Sequence, residues 1–134
     1  MNKNEIIANE IFNSVFGDPW HGPSILKILE DVNDNLAFNR KINSAHNIAE
    51  ITLHLWAWTE EVLSRLNENP PGEPKAGDWP DAQIYYDDGW DKVKNNFFES
   101  SKRLIEKVKS FPGNNFFEIV GGARNAPLGT GITF

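Results

Sequence analysis

Two apolar stripes at helical spacing, divided by an Asn69-Pro-Pro-Gly72 break, constrain this chain more than any other feature. Upstream of the break, Ile48, Ile51, Leu55, Val62 and Leu66 fall on one side of a helix. Downstream, Tyr86, Trp90, Val93, Phe97, Leu104, Val108 and Phe111 recur in three- and four-residue steps, interrupted at Ser101, until Pro112-Gly113 ends the run. The pattern predicts a long helix from an N-cap at Ser44 to about Leu66, a Pro/Gly loop from Asn69 to Pro80, and a second long helix from about Ala82 to Phe111.

Two shorter helices precede them. Asn2 and Glu5 offer a cap and its reciprocal carboxylate, followed by Ile7, Ile11 and Val15 at helical spacing up to Gly17-Asp-Pro19. Pro23 suits the first turn of a helix carrying Ile25, Ile28, Leu29 and Val32, which Asn33-Asp-Asn35 stops. Residues 36–43 lack a period and read as an extended connector pinned by Phe38 and Ile42, and the Gly-rich stretch after Phe116 reads as a loop. No strand alternation and no internal repeat compete with this pattern. The expected architecture is all-α, an antiparallel helical bundle. Without a fourth long helix the two stripes share one open side, which predicts a homodimer or an aggregation-prone fold.

Composition narrows the function classes. At 134 residues, 40% hydrophobic and with five Trp, residues 1–134 suffice for one domain with a real core. A net charge of -6 and scattered Lys and Arg argue against nucleic acid as a partner. With no Cys there is no disulfide, no thiolate nucleophile and no Cys-based zinc site, so any metal must be held by His and carboxylate. No stretch approaches the roughly 18 apolar residues of a membrane span, and the N-terminus does not read as a signal peptide. The expectation is a cytoplasmic protein with a small-molecule substrate and no membrane partner.

Chemistry concentrates around His54, in the run Ile51-Thr-Leu-His-Leu-Trp-Ala-Trp58. At about 100° per residue, Glu50, His54, Glu61 and Arg65 form a narrow polar strip away from the main apolar face. Glu50 and His54 are one turn apart, within touching distance. Such a strip is ordinarily a solvent face; here Leu53, Trp56 and Trp58 flank it, which equally suits the lining of a cavity or site. His46 lies about 12 Å from His54 along the axis, too far for both rings to ligate one ion at about 2.1 Å, so a structural role near the helix N-terminus fits it better. His21 sits in a turn and reaches the site only through tertiary folding. Asp78, Asp81, Asp87, Asp88 and Asp91 form an acidic patch that suits a helix N-terminus and lacks the spacing of a calcium-binding loop. Neither a nucleophile elbow nor a phosphate loop is present.

The segments Gly17-Asp-Pro-Trp-His-Gly-Pro-Ser24, Ala45-His-Asn-Ile-Ala-Glu-Ile-Thr-Leu-His-Leu-Trp-Ala-Trp58, Asp78-Trp-Pro80 and Trp90 together resemble the DinB-like family, over most of the chain. That family includes the YfiT-like metal-dependent hydrolases and thiol transferases. The resemblance implies an up-down-down-up four-helix bundle in which three His hold a divalent ion, zinc or nickel. It implies His54 as the metal ligand on the long helix that ends near Leu66, the second of the family's four, with Glu50 as its orienter or as a catalytic base. The family's other two ligands form His-x-x-x-His on a last helix; this sequence ends at Phe134 with no His after His54, so the chain is expected to lack that helix. Two functions follow: a metal-dependent hydrolase or thiol transferase in which the ion activates water or a thiol, or a non-catalytic, dimeric helical domain with a vestigial metal site.

Overall fold

A computed structural model describes residues 2–18, 22–39 and 45–112 of the chain. Those residues form helices and connecting turns, without strands: α1 (Lys3–Val15), α2 (Ile25–Leu29), α3 (Asp34–Phe38), α4 (Ile48–Leu66), α5 (Ala82–Tyr85) and α6 (Trp90–Ser110). The all-α class is as expected. The Gly-rich stretch after Phe116, together with His21, Ile42 and Ser44, lies outside the described residues.

Short polar side chains start the helices, because each accepts one of the N–H groups that a first turn leaves without a partner. Asn2 takes the Glu5 N–H at 2.9 Å, Ser24 the Lys27 N–H at 3.2 Å and Asn33 the Leu36 N–H at 2.9 Å. Two expectations change here. Pro23 stands outside α2, whose cap is Ser24, and Asn33 begins a new helical turn rather than only ending the previous one, so part of the expected extended connector is α3. The start of α4 is also corrected. Asn47, not Ser44, caps it: Asn47 Oδ1 accepts the Glu50 N–H at 2.7 Å while Glu50 Oε1 accepts the Asn47 N–H at 3.3 Å. This reciprocal box satisfies two donors at once. Asn47→Ala is expected to lower stability by about 1 kcal/mol, read as a shift of the urea unfolding midpoint with an unchanged slope.

The last long helix is interrupted. Gly89 has φ +89°, a backbone region that costs a residue with a Cβ, and it separates the single turn of α5 from α6. Tyr86 therefore leaves the stripe; it is 52% exposed and meets Phe38 edge to face at 5.1 Å. Gly89 caps α6 without a side chain, and the carboxylate that meets the helix start comes from elsewhere: Asp34 Oδ2 accepts the Trp90 N–H at 3.2 Å. Of the acidic patch, Asp81 caps α5 and Asp91 pairs with Lys94 at 3.3 Å.

Packing reveals the direction of each long helix. Val62, Leu63 and Leu66 at the end of α4 share a core cluster with Leu104, Ile105 and Val108 near the end of α6. Ala49 and Leu53 at the start of α4 share another with Trp90 and Val93 at the start of α6. The two helices thus run parallel, which corrects the antiparallel reading. α1 runs the other way along α6: Asn4 Nδ2 donates to the Phe111 carbonyl at 2.6 Å, while Phe16 meets Phe98 at 5.7 Å. Parallel packing requires the connection to travel back the full length of α4, about 28 Å for its 19 residues. Residues 67–89 are ample for that distance. α6 is the shared neighbour, flanked by α1 and α4, so its stripe is closed. Exposed apolar side chains are instead scattered over the other helices: Ile6 and Phe12 on α1, Leu26 and Ile28 on α2, Leu36 on α3, Ile51 on α4 and Ile84 on α5. Among the described residues, no helix is long and apolar enough to cross a membrane.

Candidate functional site around His54

His54, Trp58, Glu61 and Arg65 follow one another by four, three and four residues, so they line one face of α4. The returning connection lies on that face and is fastened at two places. At the lower one, Arg65 Nε donates to Glu61 Oε2 at 2.6 Å, and both side chains are buried. Glu61 Oε2 also accepts the Gly72 N–H at 3.0 Å, while Arg65 Nη2 donates to the Gly72 carbonyl at 3.1 Å. An ion pair excluded from water thereby satisfies the backbone of the Pro-Pro-Gly break, which has no helix or sheet partner of its own.

The upper fastening is built on His54. A tight turn closed by the Gly77 N–H to the Pro74 carbonyl at 2.9 Å, with Gly77 at φ +96°, delivers Asp78 to the helix. His54 Nδ1 lies 2.5 Å from the Asp78 carbonyl oxygen. A carbonyl only accepts, so Nδ1 carries the proton and Nε2 carries the lone pair of the neutral ring. Trp58 Nε1 donates to Asp78 Oδ1 at 2.6 Å, and the same oxygen is 3.4 Å from His54 Nδ1. Trp79 then inserts its indole between two imidazoles, stacked on His46 at 3.7 Å and 2° and on His54 at 3.9 Å and 12°. The two rings separated by eight residues of chain are joined through the indole rather than through an ion.

Glu50 stands one turn before His54, as the spacing requires, but its carboxylate turns to the helix start. Oε2 lies 2.9 Å from His46 Nδ1 and Oε1 belongs to the capping box. The structure therefore brings together Glu50 with His46, and His54 with Asp78, Trp58 and Trp79. His21 lies outside the described residues. The partners of His54 were missed because they come from the far side of a loop 24 residues away in sequence. The one available signal was the Asp78-Trp-Pro80 segment, whose Trp and acidic residue follow a Gly.

Among the described residues, no three His, Asp or Glu side chains converge as a metal-holding group. His54 is tethered on Nδ1 with Nε2 available, the orientation a ligating imidazole adopts, but by itself it does not make a metal centre. A cleft of about 320 Å³ opens on the other side of Glu50, between Phe38, Asn47, Asp81 and Tyr86. No family model, no curated protein and no solved structure matches the chain.

Proposed function

We propose that the chain is a DinB-like helical domain whose His54 contributes one ligand, through Nε2, to a divalent-metal site of a hydrolase or thiol transferase. The observation that carries this reading is the 2.5 Å hydrogen bond from His54 Nδ1–H to the Asp78 carbonyl. Metal-ligating imidazoles characteristically donate the second ring N–H to a carbonyl or carboxylate, which fixes the tautomer and the ring plane. Helix directions add support. α1 runs one way and α4 and α6 both run the other, the order of the first three helices in an up-down-down-up bundle.

The described residues supply one nitrogen and not a ligand set, so the remaining ligands of this reading come from outside them. A bound zinc or nickel ion would supply Lewis acidity to lower the pKa of water or a thiol. The chain's own contribution is positional: Asp78 holds the tautomer of His54, and Trp58 and Trp79 hold the segment that carries Asp78. In this reading the orienter of His54 is the Asp78 carbonyl rather than Glu50.

Equilibrium dialysis against zinc and against nickel, followed by metal analysis, tests the assignment. Altering an outer partner of a ligating His commonly weakens metal binding by about 10–100-fold, so loss of the ligand itself in His54→Ala is expected to weaken it at least as much. Equal metal content in wild type and His54→Ala would remove the enzymatic reading and leave the second one, a non-catalytic helical domain that self-associates. For that second reading the favouring observation is the pair of exposed apolar residues Ile6 and Phe12 on α1.

A further inference from the structure

We propose that His46 and Glu50 form a nucleophilic imidazole–carboxylate dyad that transfers the acyl group of small activated esters to water. This proposal is independent of the metal reading and uses a different histidine. Three features of the pair carry it.

The imidazole is oriented from two directions. Glu50 Oε2 lies 2.9 Å from Nδ1, and the Trp79 indole lies flat against the ring at 3.7 Å and 2°. One contact sets the edge that faces the carboxylate and the other sets the ring plane, so Nε2 points in a defined direction. The carboxylate is itself held: Glu50 is 8% exposed, and its Oε1 accepts the Asn47 N–H within the capping box of α4. It is anchored to the first turn of a 19-residue helix rather than to a mobile surface chain. Finally, the His46 side chain is 43% exposed although its partner is buried, so the imidazole is within reach of solvent and of a small solute. The cleft with Phe38 and Tyr86 as aromatic walls is lined by Glu50 and Asn47 and not by His46, so an ester reaches the imidazole from solvent.

With the proton on Nδ1 and a carboxylate to accept from it, Nε2 holds its lone pair outward, and positive charge that develops on the ring is met by Glu50. Nε2 attacks the ester carbonyl carbon, the bond to the leaving oxygen breaks, and the leaving group departs as the phenolate. The N-acylimidazolium so formed keeps its Nδ1–H against Glu50. Water then adds to the acyl carbon, the carbon–Nε2 bond breaks with its electron pair returning to Nε2, and the proton lost by water goes to solvent. The sum is ester plus water to acid plus phenol, with no other reactant.

The test is hydrolysis of p-nitrophenyl acetate by the full chain in the presence of a chelator, combined with acid quenching and mass spectrometry of the peptide that contains His46. His46→Gln is expected to lower the second-order rate constant at least about tenfold, and Glu50→Gln about tenfold, as for removal of one partner from a modest acid–base pair. His21→Gln should leave it unchanged. Glutamine at position 50 can complete the same capping box, so Glu50→Gln removes the charge while a thermal melt verifies the fold. An acetyl group on the His46 peptide of the wild type, absent from His46→Gln, supports the assignment. A rate that survives His46→Gln within twofold, or that is equal in wild type and Glu50→Gln, overturns it. His46 precedes the helix, so its substitution reports on the dyad even where changes at position 50 affect folding.

Discussion

Arg65→Ala is expected to destabilise the fold by about 3–5 kcal/mol, because it strands the Glu61 carboxylate in a site from which water is excluded. The side chains of Arg65 and Glu61 are only 7% and 8% exposed, and the carboxylate holds both the guanidinium and the Gly72 N–H. Loss of a surface partner would cost at most about 1 kcal/mol, so the size of the effect distinguishes a buried clasp from an ordinary i,i+4 pair. Urea unfolding followed by circular dichroism measures it. The double variant Glu61→Leu, Arg65→Met should be more stable than Arg65→Ala alone, since removing both charges leaves no unpaired ion. It would still free the Gly72 amide and carbonyl, so limited proteolysis near Gly72 should accelerate in both variants. An Arg65→Ala midpoint within about 0.5 kcal/mol of the wild type would show that the pair does not hold the connection.

The clasp illustrates what was legible in the sequence and what was not. Periodicity alone located α4 and most of α6, because their apolar stripes are long and their ends are marked by Pro and Gly. It placed Glu61, Arg65 and His54 on one polar strip, which is where they are. It could not say what covers that strip, since the covering residues, Gly72 and Asp78, approach through tertiary folding. The strip is neither an open solvent face nor simply a cavity wall: it is the track on which the crossover returns.

Direction was hidden for the same reason. A stripe has a face but no sense, and a short loop would have enforced antiparallel neighbours; the long connection of residues 67–89 permits the parallel pair that is found. Local errors have local causes. Ser44 and Asn47 are both acceptable caps by residue type, and only Asn47 has Glu at the reciprocal third position. Asp87-Asp-Gly89 lay within an apparently continuous stripe, where the glycine bends the chain enough to expose Tyr86. Glu50 was expected beside His54, yet the capping box turns its carboxylate toward His46, so spacing alone did not give its partner.

Trp90→Ala is expected to cost about 3–5 kcal/mol, and the loss should be felt first in α2 and α3 rather than in α6 itself. Trp90 is 1% exposed at the point where the start of α6 meets the other helices of its core cluster. Its indole Nε1 donates to the Val32 carbonyl at 2.9 Å, and its backbone N–H donates to Asp34 at 3.2 Å, so one residue ties the turn before α3 and the first residue of α3 to the long helix. α2 and α3 have five residues each, far below the length at which a helix is stable alone. Their order therefore depends on this junction. Trp90→Phe separates its two contributions: it retains most of the apolar volume but leaves the Val32 carbonyl without its donor, for an expected cost of about 1–3 kcal/mol. Hydrogen exchange resolves where the loss falls. Amides of residues 28–38 should lose protection in Trp90→Phe before those of residues 100–108, because the latter belong to the separate cluster shared by α1, α4 and α6. Uniform loss of protection across both regions would mean that the two clusters unfold as one unit, and that Trp90 is a core residue of the whole bundle rather than the pin of its smaller helices.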